Sequence, residues 1–325
     1  MSAKNTPEYL IPRLRNKSGI RVIAMGDSIS FGVGDHGGHE KAIGPGWAGR
    51  FAHDLSAARF VNVSRNGARV RDVLNHQLGV ALISDFDLAL ICVGGNDVLR
   101  GDFNPHEIEQ GLKFTINKLH KKGIAVAIIN LPHLARPIRI PKRIRQIFEV
   151  RATILNQIIK VVCVDTGAKL ICLNEVAAIK EKGFWHTDRM HPSSFGHQVI
   201  SDRVRRALSL PRRSKKKLPQ DNLNQSRQES LKWLICKGSI WLARRSVDLL
   251  PALFLLIMRE MVIPTRHNQL ESKESNFNNS RKKLFIIEFE ENNVIHIMNF
   301  AYRAEVSSNR GSASRPLNDL INLPA

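Results

Sequence analysis

Short apolar runs alternate with amphipathic stretches along residues 18–210. The runs are rich in Val and Ile and apolar almost throughout, which is typical of parallel strands covered on both faces. The predicted strands are Ile20–Met25, Phe60–Ser64, Leu88–Val93, Ile124–Asn130 and Leu170–Leu173. Helical patterns lie between or after them, at Trp47–Ala57, Val70–Gln77, Pro105–Lys121, Ile144–Thr166 and Ser194–Leu208. Repeated strand–helix units predict a doubly wound α/β sandwich over 18–210.

The pattern changes at Pro211, where a run of Arg and Lys opens a polar stretch. We interpret residues 211–231 as a solvated linker that follows the α/β domain. Residues 232–263 show an amphipathic helical pattern. Its longest apolar run, Leu249–Met258, has about ten residues, whereas a bilayer span requires roughly 20. We therefore expect the segment to pack on the α/β domain, to self-associate or to lie on a membrane surface.

The two ends of the chain carry weaker patterns. Residues 1–17 are polar and lack the apolar core of a secretory signal, so we interpret them as an N-terminal arm. Within 264–325, Leu284–Glu290 and Val294–Tyr302 flank an Asn-Asn pair, a spacing that fits a hairpin. The rest of 264–325 is rich in Asn, Ser and Arg, and we expect it to be disordered.

The chain is strongly basic, with 49 Lys and Arg against 29 Asp and Glu and a formal net charge of +20. The excess is spread along the chain, so we interpret it as general basicity toward polyanions or anionic membranes, without a specific nucleic-acid site. None of the cysteines forms a Cys-x-x-Cys pair, which leaves zinc and redox motifs unsupported. They are Cys92, Cys163, Cys172 and Cys236. We expect a cytoplasmic protein, with a peripheral membrane position through 232–263 as the alternative.

Four groups of residues supply the parts of a serine hydrolase. Ser28 closes Gly26-Asp27-Ser28 directly after the first strand, where open parallel sheets bind their ligands. A serine hydroxyl is a poor nucleophile until a base takes its proton. His191 is the candidate base. Asp188, three residues earlier, is placed to accept a hydrogen bond from the imidazole and to fix its tautomer.

The other groups supply donors for an oxyanion. Attack on an ester carbonyl puts negative charge on its oxygen, and preorganised donors aimed at that oxygen stabilise the transition state. The candidates are the backbone N–H of Ser28, the backbone N–H of Gly67 and the side-chain amide of Asn96. Gly67 suits this role because no Cβ blocks the approach of a ligand. The flanking residues predicted to support the site are Asp27, Gly95 and Asp97.

Each group alone fits an ordinary structural role, such as a helix cap, a turn glycine or a loop histidine. All four in this order resemble the SGNH hydrolases, also called the GDSL lipase/esterase family. The resemblance covers about 18–210, with one departure from the family motif at Ile29, where that motif has Leu. It implies a three-layer α/β/α sandwich with a five-stranded parallel sheet of the flavodoxin-like type. It also implies hydrolysis of esters or thioesters without a metal or another cofactor.

Two motifs near Ser28 suggest other sites but lack the required context. The segment from Gly32 to Gly37 matches Gly-x-Gly-x-x-Gly, the pattern of a dinucleotide site. In such a site the glycines lead directly from a strand into a helix, whereas here the strand ends about seven residues earlier and no helix follows. Asp35, His36, His39 and Glu40 have side chains that bind metals, but a Gly-rich loop is a poor rigid cage, so no metal is predicted. We expect this loop to gate the acyl pocket. The Gly-x-Ser-x-Gly elbow of the α/β-hydrolases is absent from the sequence.

The loop His133–Arg145 is basic and contains three isoleucines. Two interpretations stay open: a solvated connection whose isoleucines pack inward, or a rim that receives an anionic lipid or polysaccharide.

Taken together, these patterns predict a serine ester hydrolase of the lipase or acylesterase type. It would form an acyl-enzyme on Ser28 and act on a small-molecule or lipid acyl ester. A carbohydrate O-deacetylase or a thioesterase of the same fold is the alternative. A protein of another class, which binds membranes or polyanions and keeps the α/β domain as a scaffold, is motivated by the charge and by 232–263.

Overall fold

The computed structural model describes residues 7–35, 44–132, 142–186, 188–216, 218, 285–291 and 294–300. The chain divides into two compact units, Met1–Ile263 and Pro264–Ala325. The segment 232–263, the linker beyond residue 218 and the tail beyond residue 300 lie outside the described residues. Predictions for these parts therefore stay predictions.

A five-stranded parallel sheet occupies the first unit, as predicted. Its strands are β1 (Arg21–Gly26), β2 (Arg59–Asn62), β3 (Leu88–Cys92), β4 (Ala125–Ile129) and β5 (Lys169–Ile171). Their spatial order is β2-β1-β3-β4-β5. The order reverses between β1 and β3, and an open α/β sheet binds its ligands at the carboxyl side of such a switch point.

Helices connect the strands. The α-helices among the described residues are α1 (Pro7–Arg15), α2 (Ser28–Phe31), α3 (Gly46–Asp54), α4 (Val70–Asp72), α5 (Leu78–Ile83), α6 (Gly95–Leu99), α7 (Pro105–Lys121), α8 (Lys142–Thr166) and α9 (Ser194–Ala207). A π-helical turn, Val73–Gln77, joins α4 to α5, and two 3₁₀ turns, Ala177–Lys180 and Lys182–Phe184, follow β5. None of the described helices is long and apolar enough to span a bilayer.

Helix α1 was not among the predicted helices. Its surroundings in the sequence are polar, but Leu10 and Leu14 are four residues apart and lie on one side of a helix. Both are buried in the same core cluster as Trp47 and Val204. The partly buried Ile11 also packs against this cluster. The helix is therefore held by few apolar side chains, which is too short a pattern to recognise in the sequence.

The sheet is covered on both faces, which explains why its central strands are apolar throughout. Val22 and Leu88 belong to the cluster that contains residues of α1, α3 and α9. Neighbouring residues such as Ile23 and Ala89 point to the opposite face, because side chains alternate along a strand. Helices α7 and α8 pack against each other there. The result is the α/β/α layering that the resemblance implied.

The second unit contains an antiparallel hairpin. Strands β6 (Phe285–Glu291) and β7 (Val294–Phe300) pair so that Glu291 faces Val294. These strands correspond to the two runs that flank the Asn-Asn pair in the sequence.

The last residue of β1, Gly26, lies close against the backbone of β3 at the carboxyl edge of the sheet. Its φ is 137°, and a Cβ at this position would lie 1.9 Å from the carbonyl oxygen of Cys92. No side chain fits between β1 and β3 at this point, so glycine is required.

We therefore predict that Gly26→Ala destabilises the fold by about 4 kcal/mol or more, because backbone atoms cannot yield as a flexible side chain can. Gly79→Ala is the matched control, since an added Cβ meets nothing within 4 Å and alanine is favoured in a helix by about 0.5–1 kcal/mol. Urea unfolding of both variants measures the difference. A Gly26→Ala protein as stable as the parent would contradict the packing described here.

Candidate active site

Ser28 lies at the turn from β1 into α2. The backbone N–H of Asp27 donates to the carbonyl oxygen of Cys92 at 3.1 Å, so the turn remains bonded to the sheet after β1 ends. The Asp27 carboxylate accepts a hydrogen bond from the backbone N–H of Ile29 at 3.0 Å and caps α2. Ser28 is held at the first position of this helix and is 8% exposed.

The hydroxyl of Ser28 meets a histidine from the far end of the domain. The Oγ of Ser28 lies 2.8 Å from Nε2 of His191. On the other side of the same ring, Nδ1 lies 2.7 Å from Oδ2 of Asp188. Both distances are within hydrogen-bond reach, as a nucleophile, its base and the group that orients the base require. The structure thus brings together the three residues predicted to be catalytic.

The loop that carries Asp188 and His191 closes on itself. The backbone N–H of His186 donates to the carbonyl of His191 at 2.9 Å. Oδ1 of Asp188 accepts hydrogen bonds from the N–H groups of Met190 at 2.8 Å and His191 at 3.0 Å. One carboxylate oxygen therefore fixes the loop while the other faces the imidazole.

His186 is a further member of this loop that the sequence analysis did not single out. Its ring is buried, and its Nδ1 lies 3.5 Å from Oδ2 of Asp188. Burial disfavours the charged form of Asp188, but hydrogen bonds from His186 and His191 outweigh it and hold the pKa of Asp188 well below its ordinary value. The aspartate is therefore ionised at neutral pH. The only signal in the sequence was a second histidine two residues before the aspartate.

Two of the predicted oxyanion residues, Gly67 and Asn96, lie on neighbouring segments of the chain. Gly67 has a φ of 81°, in the left-handed region that favours glycine. Asn96 is in the first turn of α6, and its Nδ2 donates to the carbonyl oxygen of Ala68 at 3.0 Å. This bond ties the helix that carries Asn96 to the loop that carries Gly67.

The supporting residue Asp97 strengthens this connection. Its buried carboxylate accepts hydrogen bonds from Nε of Arg69 and from the backbone N–H of Val70, both at 3.2 Å. Burial raises the pKa of Asp97 to about 6, while Arg69 and the Val70 N–H act in the opposite direction. The carboxylate thus anchors the start of α4 beside the Asn96 turn.

The third supporting residue, Gly95, directly follows Gly94, which adopts a φ of 113°. A Cβ on Gly95 would lie 3.7 Å from Oδ2 of Asp27, so the Asn96 turn packs against the residue before Ser28.

Two side-chain amides that the sequence analysis missed clamp the backbone at strand ends. Gln77 accepts a hydrogen bond from the N–H of Gly26 at 2.7 Å and donates to the carbonyl of the same residue at 2.9 Å. Asn156 does the same for Leu131 after β4, with both distances 2.9 Å. A single amide in a helical pattern carries no signal of such a role, because most are exposed.

Asp35, one of the four residues near Ser28 whose side chains could bind a metal, forms a buried ion pair in the structure. Its carboxylate accepts two hydrogen bonds from Arg50 at 2.7 Å, and neither side chain is exposed. Burial opposes ionisation of Asp35, but the Arg50 hydrogen bond outweighs it and lowers the pKa of that carboxyl. The described residues contain no cluster that could hold a metal ion. The other three residues of that loop, His36, His39 and Glu40, lie outside the described part.

The basic loop His133–Arg145 is also described only from residue 142 onward, where α8 begins. Its two interpretations therefore stay open.

The model of the GDSL-like Lipase/Acylhydrolase family matches residues 24–199, which contain Ser28, Gly67, Asn96, Asp188 and His191. The chain belongs to this family. This membership confirms the resemblance seen in the sequence and makes the chain a hydrolase that acts on ester bonds. No curated protein matches the chain significantly.

The chain is similar to several solved structures. The acetylxylan esterase Axe2 from Geobacillus stearothermophilus is 20% identical, with a TM-score of 0.50 over 62% of this chain and all (100%) of that one. A lipase/acylhydrolase from Enterococcus faecalis is 20% identical, with a TM-score of 0.47 over 60% of this chain and 100% of that one. An alpha/beta hydrolase enzyme from the metagenome of Lake Arreo, Spain, is 21% identical, with a TM-score of 0.48 over 59% of this chain and 96% of that one. At this level of identity the likeness to Axe2 shows a shared fold.

The buried carboxyl of Asp27 yields a prediction about stability. Burial raises its pKa from 3.8 to about 7, although the hydrogen bond from the Ile29 N–H favours the charged form. Asp27 is thus protonated in both the folded and the unfolded protein below pH 4, and it is charged in both above pH 7. Since one pKa unit corresponds to about 1.4 kcal/mol, the buried charge costs the folded state on the order of 4 kcal/mol above pH 7.

We expect Asp27→Asn to be more stable than the parent at pH 8 and equally stable at pH 4, because asparagine retains the acceptor for Ile29 but carries no charge. Urea unfolding across this pH range measures the difference. Asp85→Asn serves as the control, since Asp85 is 78% exposed and its replacement should show no comparable pH-dependent gain. A difference between Asp27→Asn and the parent that is constant with pH would contradict the argument.

Proposed function

We propose that the protein hydrolyses acyl esters through a covalent acyl-enzyme on Ser28. The observation that carries the proposal is the continuous hydrogen-bonded line from Ser28 Oγ through His191 to Asp188, with distances of 2.8 and 2.7 Å. Such a line activates a serine, since the base must reach the hydroxyl proton and be held by a third group.

In the first step, Ser28 Oγ attacks the acyl carbon while Nε2 of His191 takes its proton. The ionised Asp188 accepts the Nδ1–H of His191, which selects the tautomer with a free Nε2 and stabilises the imidazolium that forms. The imidazolium then protonates the oxygen of the leaving alcohol. In the second step, Nε2 of His191 takes a proton from water while the water oxygen attacks the acyl carbon. The bond from that carbon to Ser28 Oγ then breaks, the imidazolium returns its proton to Oγ, and the acid leaves.

The negative charge of each tetrahedral intermediate falls on the former carbonyl oxygen. We assign its stabilisation to the N–H groups of Ser28 and Gly67 and to the amide of Asn96. An asparagine amide has two N–H donors. One is used for Ala68, which leaves the other for the oxyanion. The same bond fixes the amide in advance, so little reorganisation is needed during the reaction.

The proposed substrate is a small-molecule or lipid acyl ester, with an O-acetylated carbohydrate or a thioester as the alternative within the same chemistry. A series of p-nitrophenyl esters from acetate to palmitate, assayed beside an acetylated sugar and an acyl thioester, separates these classes. The measured quantity is kcat/KM for each substrate, because it reports differential stabilisation of the transition state.

Replacement of the nucleophile tests the mechanism directly. We expect Ser28→Ala to lower kcat by about 10⁶-fold, since the loss of the nucleophile removes the action of the whole triad. Ser30→Ala is the matched control, because Ser30 lies in the same helical turn but its hydroxyl donates to the Cys92 carbonyl at 3.3 Å. Its activity should stay within tenfold of the parent. Hydrolysis by Ser28→Ala at the parent rate would refute the assignment.

Replacement of the amide tests the oxyanion assignment. We expect Asn96→Ala to lower kcat by about 10²–10³-fold, the usual effect of removing one oxyanion donor. KM should change little, because the donor acts on charge that develops only in the transition state. A large rise in KM with kcat unchanged would instead assign Asn96 to substrate binding.

A further inference from the structure

Gln77 occupies a gap in the hydrogen bonding of the sheet directly before the nucleophile. Strand β2 ends at Asn62, which lies opposite Ala24 of β1. The chain after β2 still donates from Arg65 N–H to the Gly26 carbonyl at 3.1 Å. The N–H of Gly26 instead finds its acceptor in Oε1 of Gln77, at 2.7 Å. The amide thus replaces the missing length of the edge strand.

The geometry of this contact is demanding. Gln77 is 1% exposed, and its Nε2 donates to the same Gly26 carbonyl at 2.9 Å. One side chain therefore satisfies both the donor and the acceptor of a single residue. Among side chains of this length, only a neutral amide supplies an acceptor and N–H donors together.

The backbone around Gln77 departs from a regular α-helix. Residues Val73–Gln77 form a π-helical turn, in which the N–H of Leu78 donates to the carbonyl of Val73. The extra residue in the turn leaves Asn75 and His76 exposed and turns Gln77 into the protein. Such turns are rare and frequently occur at functional sites.

From these contacts we infer that Gln77 is a positioning residue for the nucleophile. The inference rests on the proposed function of Ser28. Gln77 fixes Gly26, and Gly26 leads through Asp27 to Ser28, whose hydroxyl must stay 2.8 Å from His191. Gln77 is 1% exposed, so a substrate cannot reach its side chain. Its effect is on the attack by Ser28 and not on the affinity for the acyl group.

The same helical segment also reaches the oxyanion residues. It begins at Val70, whose N–H is bonded to Asp97 beside Asn96, and three residues before it lies Gly67. The π-helical turn therefore relates the nucleophile and the oxyanion donors through one continuous stretch of backbone. This explains why an amide at position 77 can be important for a reaction centred on residue 28.

The test is the rate at which a fluorophosphonate labels the full-length protein, followed by intact-mass spectrometry. Gln77→Met keeps the length of the side chain but removes both hydrogen bonds. We expect the second-order labelling rate and kcat to fall about 10²-fold, as a small misplacement of a reacting group can cause, while KM stays unchanged. Labelling should still reach one phosphonate per chain. A merely structural defect would lower the fraction of chains that become labelled, but the folded molecules would still be labelled at the parent rate.

Two further variants complete the experiment. Asp87→Asn is the control, because Asp87 binds Arg21 at the opposite end of the sheet; it should be less stable than the parent but labelled at the parent rate. Gln77→Asn retains the amide, but its side chain is one methylene too short to reach Gly26. Its labelling rate should therefore fall as that of Gln77→Met does. It therefore serves as the test if Gln77→Met does not fold.

The outcomes separate the inference from the function on which it rests. Failure of the phosphonate to label Ser28 in the parent would overturn the proposed mechanism itself. Labelling of Ser28 in the parent, with equal rates in a folded Gln77 variant, would overturn only the role of Gln77.

Discussion

The contact between Gly26 and the carbonyl of Cys92 sets the geometry of the site. The central strands β1 and β3 end side by side, and the chain can turn from β1 into α2 there only because Gly26 has no side chain. The N–H of Asp27 then bonds to the same carbonyl. Ser28 is consequently held above the sheet edge with little freedom, and a histidine from the last loop before α9 can be placed against it.

Side-chain amides complete the carboxyl edge of the sheet. The strands end at different levels, and the backbone groups beyond each end need partners that a neighbouring strand no longer provides. Amides suit this task because they donate and accept at once without adding charge. Those bonded to the backbone near strand ends are Asn62, Gln77, Asn130 and Asn156.

The sequence predicted the sheet, and it named the residues that meet at the candidate site, because both have local signals. Apolar runs revealed the strands, and Ser28, Asp188 and His191 lie in short motifs at strand ends or before a helix. The residues that support them were not predictable in this way. Gln77 meets Gly26, and Arg50 meets Asp35, only once the chain has folded. Helix α1 depends on a few apolar side chains. The π-helical turn has no simple residue pattern, and the predicted helix over Val70–Gln77 ended where the chain in fact continues into α5.

The two anchors of the segment from Val70 to Gln77 differ in their response to acid. Its far end is held by an amide, which has no proton to gain or lose in mild acid. Its near end is held by Asp97, whose pKa is raised to about 6 by burial. Mild acid neutralises that carboxyl and weakens its hold on Arg69 and on the Val70 N–H. The segment thus has one attachment that mild acid leaves unchanged, at Gln77, and one that mild acid weakens, at Val70.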